Sequence, residues 1–307
     1  MKNQSLLLIF FLSVFSHTPN AQQRPDTSYR PLLSLKSYPA NDGSVIHIDE
    51  AHKNFHTRDG RYTAFTRLLE SDGYVLKSNS MKFDRNHLKD IQILVIANAS
   101  ANELSRPVVA PTPSAYSESE IKALVEWVNN GGSIFLIADH MPFAGASLHL
   151  AKAFGFTCYD SFVMYSPRNG TIDFDRAEGS LSTNFLTEGR NQDERVTRVR
   201  SFTGQGFSIP DEATSILNLD DSQNVYLTDT MWVFNEKVKS FPAQNLSQGA
   251  IMTFGKGKVA MWGEAAMFTA QISAKNGQKF GMSSDGAEQN YHLLLNIIHW
   301  LDGLLGE

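Results

Sequence analysis

Apolar residues fall in short runs separated by helix-length segments. Val45-Ile46-His47-Ile48-Asp49 reads as a short buried strand, residues 62–69 as an amphipathic helix ending near Asp72-Gly73, and residues 74–76 and 91–97 as the next two strands. A polar, proline-rich loop over 98–116 follows; it is longer than a packing connection requires and is a candidate lid or binding loop. Ser117-Glu118-Ser119-Glu120 is a capping box, so a helix starts there, with Ile121, Leu124, Val125 and Val128 on one face and Asn130-Gly131-Gly132 as its stop. The run 133–138 is almost continuously apolar and ends in Asp139-His140, the pattern of a strand buried on both sheet faces. A further helix is predicted over about 144–154.

Between 155 and 247 the periodicity weakens to short possible strands at 196–202, 213–217 and 225–227, which points to a β-rich elaboration. Regularity returns with 249–254, the turn Gly255-Lys256-Gly257 and 258–262, which together predict a hairpin, and the chain closes with a helix over 288–304. Alternating strands and helices predict an α/β fold: a mostly parallel sheet with right-handed crossovers and helices on both faces. The strands at Val45–Asp49, 91–97 and 133–139 should be parallel neighbours with their carboxyl ends on one side. In such sheets ligands bind beyond the carboxyl ends of the strands, and that rule selects the candidate residues.

The chain has 307 residues, of which 42% are hydrophobic and 19% charged, an ordinary globular composition. Its 27 Lys and Arg against 32 Asp and Glu give a net charge of -5, which lacks the basic excess that nucleic-acid binding uses. Lys2, the apolar run 6–15 and the Ala21 junction read as a signal peptide over 1–21, too short to span a bilayer. This predicts a periplasmic or secreted protein with no membrane span after signal removal. A proline-containing leader follows over 22–42, and one domain over 43–307. Cys158 is the only cysteine, so an intramolecular disulfide is excluded; with no basic group beside it, it reads as an inert buried thiol.

Chemistry concentrates at the predicted strand ends. The segment 49–56 holds Asp49, Glu50, His52 and His56, and its functional reading is a loop in which the carboxylates orient a histidine acting as base or ligand. A solvated loop in which Asp49 caps the next turn would use the same residues. Asp139 and His140 project from the end of the clearest strand, and Glu264 follows the hairpin; each also admits a purely structural reading. Asn290 and His292 open the last helix, and His47, within a strand, reads as a core histidine. An open metal site could draw on His52, His56 and His140 with Asp139 or Asp49, whereas a closed structural site lacks sulfur ligands. Whether a metal binds is left open, and no cofactor is expected. Nucleophile-elbow, P-loop, dinucleotide-binding and paired-cysteine motifs are absent from the sequence.

Residues 45–56 (VIHIDEAHKNFH), the capped helix leading to Gly131-Gly132-Ser133, and Gly255-Lys256-Gly257-Lys258-Val259 together resemble the class I glutamine amidotransferase-like fold, specifically the DUF4350 group and its ThuA-like relatives. The resemblance implies a flavodoxin-like core and a link to carbohydrate utilisation in bacteria. It does not imply glutaminase activity, because the strand that would carry the nucleophilic cysteine ends here in Asp139-His140. The expected function is hydrolysis of a carbohydrate or similar polar small molecule, with His52 and His140 as the acid–base or ligand pair, Asp49 and Asp139 as their orienters and Glu264 as a further polar contact. The alternative is a non-catalytic carbohydrate-binding or interaction domain, with Phe55, Tyr116, Phe143 and Phe268 as candidate stacking surfaces.

Overall fold

The computed structural model describes residues 23–167 and 169–306; the signal segment expected over 1–21 lies outside them. Its core is one sheet. Strand β1 (Val45–Asp49) is followed by helix α1 (Thr63–Ser71), β2 (Val75–Asn79), β3 (Ile93–Ala97), α2 (Glu118–Asn129), β4 (Ser133–Ile137) and α3 (Phe143–Ala153). After the elaboration come β5 (Ser247–Phe254), β6 (Gly257–Trp262) and α4 (Asn290–Asp302).

Strands β2, β1, β3, β4 and β6 lie side by side in that order, all parallel. Counting the parallel strands along the chain, this is the 2-1-3-4-5 order of flavodoxin-like sheets. The chain therefore reverses its direction of travel between β1 and β3, and the crevice at their carboxyl ends is the topological switch point. The expected parallel arrangement of the strands at 45–49, 91–97 and 133–139 is observed.

Side-chain alternation along these strands builds two cores. Ile93, Val95 and Ala97 of β3, Phe135 and Ile137 of β4, and Trp262 of β6 face α1 and α4. Leu94, Ile96, Ile134, Leu136 and Met261 point the other way, onto α2 and α3. Burying both faces explains why β3 and β4 read as unbroken apolar runs. The Ser117–Glu120 capping box forms as predicted, and Gly131, at φ 120°, ends α2 in a backbone region that favours glycine.

Antiparallel strands extend the sheet past β6. The expected hairpin supplies β5, and the elaboration adds Phe207–Ser208, Thr157–Cys158 and Thr214–Asn218. The rest of the elaboration forms a three-stranded sheet of Lys239–Pro242, Asn224–Leu227 and Phe162–Met164 and a pair, Thr171–Asp175 with Arg198–Phe202. From Gln23 onward the leader is laid against the domain. Its Gln23–Pro25 strand pairs antiparallel with Ala270–Ser273, and Ser37 bonds both Asp72 and His299 at 2.8 Å.

Candidate functional site

The first loop begins where β1 ends. Asp49 is fully buried, and its Oδ2 lies 2.8 Å from His52 Nδ1. The opposite ring nitrogen, Nε2, lies 2.8 Å from Glu120 Oε1, and Phe83 and Tyr116 cover the ring with centroids at 4.7 and 5.0 Å. Burial opposes a charge on His52, but the hydrogen bonds and charges of Asp49 and Glu120 outweigh it and raise the pKa. Glu120 is opposed by burial in the same way, yet the Ser117 amide, His52 and the Ser117 hydroxyl bring its pKa down to about 2. An imidazolium between two carboxylates results, with no ring nitrogen free. His52 thus clamps the first loop to the start of α2.

A second cluster forms where β3 and β4 end. Asn98 follows β3 at φ 50°, a left-handed conformation that asparagine tolerates better than most residues. Its Oδ1 accepts the Asp139 N–H at 2.9 Å, its Nδ2 donates to His56 Nδ1 at 3.1 Å, and its carbonyl accepts the Phe55 N–H at 2.9 Å. Because Nδ1 of His56 accepts, Nε2 carries the proton of the neutral ring. Burial, reinforced by the positive charge of Arg61, pushes the His56 pKa down to about 3.

Asp139 Oδ1 accepts the His140 N–H at 2.7 Å, and its Oδ2 is 3.4 Å from the Ala265 nitrogen that donates to it. Glu264 is fully buried, and its oxygens accept from Ala266 and Met267 at 2.8 and 2.7 Å, holding the 3-10 turn Ala266–Phe268. Burial and the neighbouring charge of Asp139 push its pKa well above the carboxylate range, against the pull of those backbone donors.

His140 is set differently. Its Nδ1 donates to the Met141 carbonyl at 2.7 Å, which leaves Nε2 as the lone-pair nitrogen. That atom is 3.9 Å from Asp139 Oδ1, beyond hydrogen-bonding distance. The ring stacks on Phe162 at 4.6 Å and meets the edge of Trp232 at 4.7 Å. Trp232 is 41% exposed and sits at φ 64°, an unusual backbone state for a bulky side chain. On the other flank Phe143 lies 6.4 Å from His140, and Phe55, 40% exposed, packs 5.5 Å from Phe143. Arg61 lies 4.2 Å over the Phe55 ring.

Of the residues named from sequence, Asp139, His140 and Glu264 therefore gather with His56 at the carboxyl ends of the strands. Asp49 and His52 are bound up with Glu120. Among the aromatics named, Phe55 is exposed, whereas Tyr116, Phe143 and Phe268 are buried. Asn290 is buried as a brace between Arg200 and Met267, His47 is a half-buried strand residue, and Cys158 is a buried thiol whose pKa burial pushes up to about 12. Sequence reasoning missed Asn98, which the strand-end rule could have found, and Glu120, read as a helix cap alone. It also missed Arg61 and Trp232, for which no periodic signal existed. Among the described residues, no group of three or more His, Cys, Asp or Glu is placed to hold a metal ion. A groove of about 630 Å³ lies between α2 and α3, walled by Tyr116, Ile121, Val125 and Ala153 with Lys122 and His149.

No family model matches the chain, and no curated protein matches it. Among solved structures it is similar to the mmIFT52 N-terminal domain, with a TM-score of 0.57 and 14% identity over 84% of this chain and 97% of that one. It is also similar to the cytoplasmic protein STM1381 of Salmonella typhimurium LT2, with a TM-score of 0.48 and 11% identity over 85% and 98%. A ThuA-like protein of Bacteroides uniformis ATCC 8492 aligns with a TM-score of 0.43 and 13% identity over 86% and 95%. Likeness at these identities concerns the fold alone. No helix among the described residues is long and apolar enough to cross a membrane.

Proposed function

We propose that the protein is an exported carbohydrate-binding domain on the amidotransferase-like fold, with its site at the switch-point crevice. The observation that carries this reading is His140: an imidazole whose Nε2 lone pair meets no donor among the described residues, stacked on Phe162 and edged by the half-exposed Trp232. Aromatic faces beside a polar acceptor suit a sugar, whose apolar ring face stacks while its hydroxyls hydrogen-bond. Half-exposed Phe55 continues the same strip. The resemblance to the DUF4350 and ThuA-like group points to the same ligand class, and the segment 1–21 supports export, which places the mature N-terminus near Gln22.

Hydrolysis is the second reading, and one observation favours it. Burial and the charge of Asp139 raise the pKa of Glu264, which favours its protonated form, and Asp139 Oδ1 lies 3.9 Å from the Nε2 of His140. A panel of oligosaccharides read by both thermal shift and product release separates the two. A binding domain gains thermal stability and releases nothing; a hydrolase releases product, and loses that activity in Asp139→Asn and His140→Gln. Mass spectrometry of the protein from its native envelope fraction tests export, and an intact Met1 form would refute it.

A further inference from the structure

A cation in the crevice lacks a counter-charge. Arg61 is half-buried, and the hydrogen bond it makes to a described residue runs from Nη1 to the neutral Oε1 of Gln271 at 2.7 Å. Several half-buried arginines elsewhere are placed differently: Arg176, Arg190 and Arg200 each meet a carboxylate, of Glu188, Glu194 and Asp173 respectively, whereas among the described residues Arg67 meets only the Thr27 carbonyl. Among the described residues Arg61 has no such partner. Withdrawing a guanidinium from water without an anion is unfavourable, and burial accordingly lowers its pKa.

Stacking on Phe55 decides where an anion can reach it. With Cζ 4.2 Å from the Phe55 ring centre and Nη1 engaged by Gln271, the guanidinium keeps further N–H donors that can receive a planar carboxylate in a two-pronged fashion. Phe55 in turn leads through Phe143 to His140 and Trp232. Arg61 lies close enough to His56 for its charge to add to the burial that keeps that ring neutral.

We propose that the crevice takes an acidic sugar, of the uronic acid class, and that Arg61 receives its carboxylate while the sugar ring lies along the Phe55–His140–Trp232 strip. This rests on the reading of the crevice as a carbohydrate site. Selectivity comes from a local cation in a chain whose net charge is -5, so bulk attraction of anions does not account for it.

Calorimetric titration with oligomers of glucuronate, galacturonate, mannuronate and guluronate, beside oligomers of the corresponding neutral hexoses, tests the proposal. At least one uronate oligomer should bind about tenfold more tightly than its neutral counterpart. That preference should vanish in Arg61→Gln and survive in part in Arg61→Lys. Neutral oligomers binding as tightly as acidic ones to the unmodified protein, or a preference that persists in Arg61→Gln, would overturn the acidic-sugar proposal and leave the carbohydrate site standing. A sulfated neutral oligomer that matched the uronates would replace carboxylate recognition by general anion binding. If no oligomer of any kind bound, the carbohydrate reading and the proposal would fall together.

Discussion

The side-chain oxygen of Asn98 accepts the backbone N–H of Asp139 at 2.9 Å, so the end of β3 sets the course of the chain leaving β4. The same side chain holds His56, and the Asn98 carbonyl holds Phe55. One buried amide therefore joins the first loop to the Asp139-His140 turn. Asn98→Ala removes two buried hydrogen bonds and leaves alanine in a left-handed conformation, which should cost about 2–4 kcal/mol. Urea unfolding midpoints measure this; a loss below about 0.5 kcal/mol would mean that the loop is held by other contacts.

The His52 clamp predicts a stability window. The raised pKa of His52 contributes stability that is complete below its unfolded value of 6.5 and is lost as pH rises through the higher folded value. The lowered pKa of Glu120 contributes stability that is present above 4.5 and is lost as pH falls toward about 2. Their joint contribution is greatest between 4.5 and 6.5. Unfolding midpoints across pH should fall on both sides of that window for the native protein, and less steeply for His52→Gln. Parallel profiles for the two proteins would show that the clamp is not the source.

His56 should stay neutral from about pH 5 to 8, because burial and the neighbouring Arg61 cation oppose its proton. Its ring resonances in an NMR titration should not move over that range. An inflection near the ordinary histidine pKa would show that the crevice is wetter or less positive than described.

Trp232→Ala should weaken oligosaccharide binding by about tenfold or more while changing stability by less than about 1 kcal/mol, since the indole is 41% exposed. Affinity is read by calorimetry and stability by urea unfolding. Equal affinities in the native protein and the variant would remove Trp232 from the site.

The parallel strands were legible because burial on both faces writes itself as unbroken apolar runs, as in Ile93–Ala97 and Ser133–Ile137. The strand-end rule then led to Asp139, His140 and Glu264. It could not reveal what each polar atom bonds to. The capping box disclosed the role of Glu120 Oε2 in accepting from Ser117, whereas its Oε1 reaches back across the fold to His52, a contact 68 residues away in sequence. Glu264 stood out as a strand-end carboxylate, but its oxygens hold the turn that follows it. Trp232 lies in the irregular stretch where short antiparallel strands leave no periodic signal, and its approach to His140 depends on tertiary packing alone.

Ligand binding at the strand ends around His140 is read from a chemical-shift map of the isotopically labelled protein titrated with the neutral and acidic oligosaccharides. The account predicts that the largest shifts fall on the indole N–H of Trp232, the ring of His140 and the amides around Phe55 and Asn98. Shifts gathered instead in the groove between α2 and α3, around Ile121, Val125 and His149, or no shifts with any oligosaccharide, would contradict it.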